Sequence, residues 1–353
     1  MKEKRLYLDI HAIQTLPPSN VNRDDTGSPK TAIYGGVRRA RVSSQSWKRA
    51  MRQYFLDECA DELGIRSLDV IRYVADRIVL ADTSVTKENA MKMAEKIFND
   101  AGIKTKDQKT KALFFLGKKQ ADRLAVAAVN GEADKKAIKQ IFCDNPAVDI
   151  ALFGRMVADD PSLNEDASAQ VAHAISTHEV QTEFDYYTAV DELAPVDNAG
   201  AGMLGTIEYN SSTLYRYANI AMHDLSRQLG NKEQAITAAK LFIQAFANSM
   251  PTGKANTFAN QTLPQMLMIN IRCDRPVNLV TAFENPVKSN AGNAVPSILR
   301  IFDEEMKAEK YVQAPVKTLY VVEEGVVKPD WGTEESSITA LINDFAKTVE
   351  ELL

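Results

Sequence analysis

The sequence predicts an α+β protein in which a helical segment is inserted into a sheet domain. Strand and helix patterns alternate at both ends of the chain, 57–180 has mostly helical spacing, and 184–220 has the pattern of a long hairpin. With 353 residues and 45% apolar composition, the chain is long enough for several domains or for one domain with a large insertion. We therefore divide it at residues 56, 180 and 220.

The first segment predicts a strand, a long loop, a hairpin and a helix. Apolar and more polar residues alternate over 6–13, which is the period of a strand. The loop that follows, PPSNVNRDDTGSPK, is long for a compact domain and is a candidate functional loop. Residues 32–42 predict a hairpin that turns at Gly35–Gly36. Ser43 or Ser44 then caps a helix, and the apolar residues at helical spacing from Trp47 form its buried face.

The rest of the chain predicts helices in the insertion and alternating elements after it. Helical spacing within the insertion occurs at 66–80, 88–99, 108–129 and 133–143. The Lys-rich stretch 104–119 favours a solvated helical face over a binding site. A long hairpin with a loose tip follows. The last segment predicts a helix at 232–249, a strand at 266–273, a short helical piece at 278–284, a strand at 318–323 and a closing helix at 336–352.

Composition narrows the setting and the class of ligand. The three cysteines, Cys59, Cys143 and Cys273, are far apart and form no CxxC pair, which indicates a reducing compartment and no thiolate metal site. The first residues are too quickly polar for a signal peptide, and no stretch is apolar enough to span a membrane, so we expect a cytoplasmic protein. A net charge of −5 makes indiscriminate coating of nucleic acid less favourable, so binding should be confined to one groove.

One basic block stands out against this mildly acidic background. Residues 26–56 contain seven Lys or Arg and no Asp or Glu. The basic side chains and one hydroxyl that we expect near the start of the helix are Arg23, Arg38, Arg39, Arg41, Ser43, Lys48, Arg49 and Arg52. Amides at a helix N-terminus, hydroxyls and guanidinium groups together suit a phosphate backbone. The alternative is a solvated basic face without a ligand.

Three further motifs indicate local structure more than chemistry. The GxGxxG match at Gly200–Gly205 neither follows a strand nor opens a helix, so we interpret it as a loop tip. On a helix, His173 and His178 would point about 140° apart, and we interpret them as structural residues. Asp24 and Asp25 could hold a divalent ion beside a phosphate-binding surface. We favour turn formation, in which Asn22 and Asp24 bond their own backbone.

Eight short motifs, in the same order along the chain, resemble the backbone subunit of the type I-E CRISPR Cascade complex. They are NRDD (22–25), AIYGGVRRARVSSQSWKRAMR (32–52), DIALFGRM (149–156), AHAIST (172–177), YYTAVDEL (186–193), LYRYANI (214–220), AFENPVK (282–288) and PSI (296–298). The combination of GG-RR-R-SSQS-KR with YRYANI makes the resemblance specific. The motifs span most of the chain, whereas 57–145 shows little of the resemblance.

The resemblance implies a fold shaped like a right hand. The palm, 1–56 and 221–353, is expected to resemble an RNA-recognition-motif (ferredoxin-like) domain, with helical fingers at 57–180 and a long β-hairpin thumb at 181–220. It implies a non-catalytic subunit without cofactor or metal, stacked in several copies as a helical filament along one CRISPR guide RNA. Each thumb would displace one guide nucleotide, and the remaining bases would pair with target DNA. The implied partners are further copies of this chain and the large, small, 5′-end and endonuclease subunits of Cascade.

The resemblance also implies individual contacts to the guide. Positions that match palm residues gripping the guide backbone are Arg23, Ser43, Gln45, Lys48, Arg49 and Arg52. Met156 matches a finger residue near the displaced base, and we include the adjacent Arg155 as an RNA contact. Tyr187 and Thr188 match the base of the thumb, with Tyr187 in place of an expected Phe. Trp47 replaces a smaller apolar residue and should stay buried.

Two other functions are compatible with the same residues. The first is a metal-dependent ribonuclease, which type III relatives imply and for which Asp24 or Asp25 would supply the carboxylate. The second is an RNA-binding protein that acts as a single copy. Cleavage of bound complementary RNA would distinguish the first from a scaffold, and the size of the RNA-bound particle would distinguish the second.

Overall fold

The computed structural model describes residues 5–190, 192–193 and 201–353. Within these residues the strands are β1 Tyr7–Ser19, β2 Thr31–Tyr34, β3 Val37–Val42, β4 Gly64–Ser67, β5 Thr105–Lys106, β6 Lys109–Thr110, β7 Phe114–Gly117, β8 Ala169–Val171, β9 Ala174–Ser176, β10 Glu183–Val190, β11 Ala201–Ala221, β12 Met266–Arg272, β13 Lys317–Val322 and β14 Thr333–Glu334. The helices are α1 Ser44–Cys59, α2 Val70–Ala81, α3 Lys87–Asp100, α4 Lys118–Val129, α5 Lys135–Cys143, α6 Val148–Phe153, α7 Met222–Leu229, α8 Lys232–Asn248, α9 Ala255–Phe258, α10 Ala294–Ala308 and α11 Ile338–Leu352. The predicted α+β class is confirmed.

One large sheet is built around β1. This strand pairs antiparallel with β11 on one side and β12 on the other, so that Leu8 lies between Ile220 and Ile271. The sheet continues through β13 to β14 at one edge and through β9 and β3 to β2 at the other. β1 runs to Ser19, so the predicted loop starts later than its first prolines and covers residues 20–30. The basic helix α1 follows directly from the edge hairpin β2–β3.

One face of the sheet fixes α1 in place. Leu8 and Ile10 of β1 join a core with Met51 and Phe55 of α1, and α7, α8 and α11 complete it. Trp47 is 1% exposed, as expected for a side chain on the inner side of the helix. Each large apolar side chain buried in this way contributes about 1.5–3 kcal/mol. The inner stripe therefore determines which side of α1 faces solvent.

The other face of the sheet carries a buried polar group beneath α10. The Nε of Arg272 donates to Asp9 at 3.1 Å, and the same guanidinium bonds Glu305. Burial raises the pKa of Asp9 to about 7 and lowers that of His11 to about 3. The predicted alternation along β1 is confirmed, but its polar side is buried as well, because α10 covers it.

The insertion has its own core and is less helical than predicted. Helices α2 to α5 pack around Phe98, Phe114 and Phe142, whose rings meet edge to face at centroid distances of 5.3–5.8 Å. The predicted helix over 108–129 is wrong in its first half, because the apolar run at 114–117 pairs with β4 as a strand. The Lys-rich stretch is accordingly not one helical face. Its first part forms the β5–β6 turn, β7 follows, and Lys118 and Lys119 open α4.

Both predicted hairpins are present. Gly35 and Gly36 have φ of 58° and 79°, and they join β2 to β3 at the predicted turn. β10 pairs with the first part of β11, and β11 then continues into the large sheet beside β1. Ala201–Gly205 lies in this strand and not in a loop tip, whereas Gly200 and the rest of the predicted tip lie outside the described residues.

The elements predicted for the last third of the chain are confirmed as α8, β12, a short helical turn at Leu279–Phe283, β13 and α11. The prediction omits α7, α10 and the two short elements α9 and β14. Pro296 lies in the first turn of α10, where a proline removes no helical hydrogen bond. Within the residues that the structure describes, no helix has the length and apolar character that crossing a bilayer requires.

Candidate nucleic-acid interface

Helix α1 begins at Ser43, one of the two predicted caps. Ser43 has an extended backbone, and its Oγ accepts a hydrogen bond from the N–H of Ser46 at 3.3 Å. Its own N–H donates to Asn22 Oδ1 at 2.9 Å, which ties the helix start to the preceding loop. No acidic residue lies in the first turn, so the positive end of the helix dipole is not neutralised locally. Ser43 is buried, and these contacts give it a positioning role.

Four side chains form a polar stripe along the outer side of α1. This α1 stripe consists of Gln45, Lys48, Arg49 and Arg52, which follow the spacing i, i+3, i+4, i+7. The four side chains line one groove with a volume of about 860 Å³, the α1 groove. Gln45 and Arg49 are exposed, and the two other side chains are half-buried. The predicted separation of α1 into an inner apolar side and an outer cationic side is confirmed.

The insertion supplies the second wall of this groove. Its lining residues are Arg66, Leu113, Phe115, Phe153, Gly154, Arg155, Met156, Asn164, Glu165, Asp166 and Ala167. With the α1 stripe, the described lining includes five bases and two acids. The groove is therefore positive on balance and suits an anionic ligand.

Two phenylalanine rings lie beneath the cations. The Nζ of Lys48 is 5.5 Å from the ring centroid of Phe153, and the Cζ of Arg52 is 4.6 Å from that of Phe115. Contacts of this kind contribute about 0.5–1 kcal/mol near a surface, and here they orient the cationic groups along the groove. Burial lowers the pKa of Lys48, so this ammonium loses its proton at a lower pH than an exposed lysine does.

Arg52 also has a structural task. Its Nε lies 3.0 Å from Oδ2 of Asp149, whose side chain is fully buried, and its guanidinium donates to the carbonyl of Gly64 at 3.3 Å. The other oxygen of Asp149 accepts the N–H of Gly64 at 2.9 Å. Burial raises the pKa of Asp149, and the charge of Arg52 opposes this shift. Arg52 therefore connects α1 to the insertion.

The structure corrects two predicted RNA contacts, Arg39 and Arg155. Arg39 is 0% exposed, and its guanidinium donates to three backbone carbonyls at 2.7–3.1 Å. Arg155 is 4% exposed and donates to two backbone carbonyls, both at 2.9 Å. Arg155 borders the groove, but both guanidinium groups are committed to buried carbonyls. Neither is available to a phosphate without breaking these bonds.

Arg38 and Arg41 lie on β3, and neither lines the α1 groove. Arg38 is exposed. Arg41 is half-buried, and its Nε donates to the carbonyl of Thr31 at 3.3 Å. Its Nη1 lies 3.1 Å from Nδ1 of His173. The structure therefore places these two arginines on the edge hairpin and does not bring them together with the α1 stripe.

The two histidines flank β9 and do not lie on a helix. The Nε2 of His178 accepts the N–H of Thr213 at 3.0 Å, which joins the segment after β9 to β11. His173 is exposed and contacts Arg41. In the described ranges, no group of three or more His, Cys, Asp or Glu side chains is arranged to hold a metal ion.

The loop before β2 places Arg23 beside α1. Arg23 is exposed and lines a second groove of about 620 Å³, whose other wall includes Ser46, Arg49 and Gln53. Because Arg49 borders both grooves, Arg23 extends the same surface as the stripe. The structure thus brings together Arg23, Gln45, Lys48, Arg49, Arg52 and Met156.

Asp24 forms a turn, as we favoured. Its Oδ1 accepts bonds from the N–H and hydroxyl of Thr26, at 3.0 and 2.8 Å, and from the N–H of Ser28 at 3.0 Å. These bonds, led by that from the Thr26 hydroxyl, lower the pKa of Asp24. Asn22 differs from the prediction, because its side chain bonds the helix start and not its own turn. Asp25 is exposed beside Asp24 in the second groove.

Tyr187 and Thr188 lie on β10, and neither lines the α1 groove. Tyr187 packs across the hairpin on Gly205, where an added Cβ would lie 2.5 Å from the ring. Both side chains are exposed, and Met156, at the groove, is 83% exposed. Within one copy, Tyr187 and Thr188 therefore do not line the groove at which Met156 lies, although all three are predicted to contact the guide RNA.

The sequence prediction misses Arg66 and Leu113, which also line the groove. Both belong to the part of the insertion that carries little of the family resemblance. Arg66 is on β4, a strand of four residues, and Leu113 immediately precedes β7. Strands this short give almost no periodic signal, so no pattern in the sequence points to these positions.

Comparison with known proteins gives structural relatives and a family. The chain resembles a chain of a solved structure described as "CRISPR RNA-guided surveillance complex, pre-nicking", with 32% identity, a TM-score of 0.85 and coverage of 97% of this chain and 100% of the other. A second, described as "CRISPR RNA-guided surveillance complex", has 28% identity, a TM-score of 0.66 and coverage of 97% and 99%. No curated protein sequence matches. A family profile described as "CT1975-like protein" matches residues 8–345, and the chain therefore belongs to the CT1975-like protein family.

Proposed function

We propose that this chain is a non-catalytic backbone subunit that binds the guide RNA of a type I-E Cascade surveillance complex. The observation that carries the proposal is the α1 stripe, which starts at an acid-free helix N-terminus and lines a basic groove. The family and the similarity to chains of RNA-guided surveillance complexes support it.

The stripe supplies the chemistry that a sugar-phosphate backbone requires. Arg49 offers a planar pair of donors to a phosphate, Lys48 offers a point charge, and Gln45 extends the donors towards the helix start. Such contacts fix the position of the strand and carry no sequence information. The guide would therefore be held in the same way whatever its sequence, and its bases would read the target DNA by pairing.

The remaining elements fit the proposed right-hand arrangement. The strands β11, β1, β12 and β13 with their helices would form the palm, α2–α6 the fingers, and the β10–β11 hairpin the thumb. One face of this hairpin exposes Phe184, Tyr186 and Leu204, each at least 66% exposed. A thumb that reaches the next copy would bring Tyr187 and Thr188 near the Met156 of that copy. Displacing one nucleotide there costs a few kcal/mol of stacking, which the phosphate contacts would offset.

Co-purification tests the proposal most simply. The chain is expressed with and without a transcript that contains CRISPR repeats, purified, and sized by light scattering. We expect RNA of defined length bound to a multimer of this chain and, when the other subunits are present, to a complete complex. A monomer free of RNA would contradict the proposal, and an RNA-bound monomer would instead support a single-copy RNA-binding protein.

The ribonuclease alternative has a separate test. The assembled complex is incubated with complementary RNA and Mg²⁺ or Mn²⁺, and the RNA is separated by length. We expect the RNA to stay intact, because Oδ1 of Asp24 already accepts the hydrogen bonds of its own turn. Cleavage at regular intervals that is lost in Asp25→Ala would show that the chain is an enzyme.

A further inference from the structure

The β4–β7 ribbon places an exposed cation on the second wall of the groove. Arg66 lies directly opposite Phe115 in the ribbon, and the ring of Phe115 lies under the guanidinium of Arg52. Arg66 is exposed, and its guanidinium has no hydrogen-bond or ion-pair partner among the described residues. The two acids of the groove, Glu165 and Asp166, form no ion pair with it.

The other cations of the groove are less available. Arg155 is buried against backbone carbonyls, and Arg52 is held by Asp149. Lys48 is half-buried over Phe153. Among the described lining residues, exposed guanidinium groups therefore occur at Arg49, on the α1 wall, and at Arg66, on the insertion wall.

We infer that Arg66 is a second phosphate-binding residue, which with Arg49 clamps a single RNA strand from both walls of the groove. The inference rests on the proposed function and adds a phosphate contact from 57–145, the part of the insertion that shows little of the family resemblance. A strand held on one wall only can roll and turn its bases inward. A strand held between two guanidinium groups keeps its phosphates inside the groove and its bases outward, which pairing with DNA requires.

The test measures binding of the full-length chain to fluorescently labelled oligouridine at several salt concentrations. One lost phosphate contact lowers the log–log salt slope by about 0.7, which corresponds to about fivefold weaker binding at 0.1 M salt. We expect this result for Arg66→Ala and for Arg49→Ala, and about twice the slope change for the double variant. Arg66→Lys should retain most of the slope, because the charge is kept.

Arg72→Ala is the matched control. Arg72 is an exposed arginine of α2 in the same insertion, and it lines neither groove. Suppose that Arg66→Ala binds RNA like Arg72→Ala, whereas Arg49→Ala lowers the log–log salt slope by about 0.7. The clamp is then refuted and the proposed function stands. If all three single variants bind like the unmodified chain, both are refuted. If Arg72→Ala loses as much as Arg66→Ala, the effect is one of general charge and the clamp is refuted.

Discussion

Removing Arg52 should destabilise the protein more than it weakens RNA binding. The side chain of Asp149 is fully buried, and that of Arg52 is 26% exposed, at a separation of 3.0 Å. Leaving one partner of a buried ion pair without the other costs about 3–5 kcal/mol. Arg52 is partly exposed, and in Arg52→Ala the carboxylate of Asp149 still accepts the hydrogen bond from the N–H of Gly64. We therefore expect a loss of unfolding free energy at the lower end of this range, about 3 kcal/mol.

This loss should depend on pH. Burial raises the pKa of Asp149 in the folded protein, and the charge of Arg52 is the largest influence that opposes the shift. In Arg52→Ala this pKa rises further above its value in the unfolded chain. At a pH below the pKa that Asp149 has in the folded protein, its carboxyl group is protonated and the buried charge disappears. The destabilisation should therefore be largest at neutral and alkaline pH and should shrink as the pH falls.

Urea unfolding of four proteins measures this coupling: the unmodified chain, Arg52→Ala, Asp149→Asn and the double variant. Asp149→Asn should recover about 2 kcal/mol of the loss in the Arg52→Ala background, because no buried charge remains. Arg72→Ala, an exposed surface change, should alter the unfolding free energy by no more than about 0.5 kcal/mol. A loss below about 1 kcal/mol for Arg52→Ala, or one that stays constant with pH, would refute the reasoning.

Three further predictions follow from single contacts. Gly35→Ala should prevent folding, because its Cβ would lie 1.6 Å from the carbonyl oxygen of Glu284, whereas Gly36→Ala meets no atom within 4 Å and should cost about 1–2 kcal/mol in thermal unfolding. Arg39→Met should destabilise the chain by at least about 2 kcal/mol, because it leaves buried carbonyls unpaired, and should leave the salt slope of RNA binding unchanged. RNA affinity should fall at alkaline pH as Lys48 loses its proton, and Lys48→Arg should remove this fall in a pH titration.

Elements determined by local chemistry were predicted well. The serine cap and the apolar stripe identify α1, and paired glycines identify the β2–β3 turn. Each of these signals lies within about a dozen residues and needs no knowledge of distant contacts. The helix prediction fails at 114–117 because a short apolar run suits a buried strand and a helix equally. The run forms a strand because it pairs with β4, which precedes α2 and α3 in the sequence.

The candidate site shows the same limit at the level of single side chains. Arg39 and Arg49 are identical residues in the same basic block, but one is buried under backbone carbonyls and the other faces the groove. The orientation of Arg49 follows from the helical period, which the sequence contains. The burial of Arg39 depends on the packing of residues near 283 against β3, and the position of Arg66 depends on the fold of the insertion. Neither is encoded locally.

The salt dependence of RNA binding by the double variant Lys48→Ala/Arg49→Ala tests the central claim most directly. This variant leaves the Arg52–Asp149 pair intact, so its unfolding free energy should remain close to that of the unmodified chain. If the α1 stripe holds guide phosphates, the log–log slope falls by about 1.4, about 0.7 for each contact, for every RNA sequence tested. A slope equal to that of the unmodified chain would contradict the account, because the stripe would then face a groove that holds no RNA.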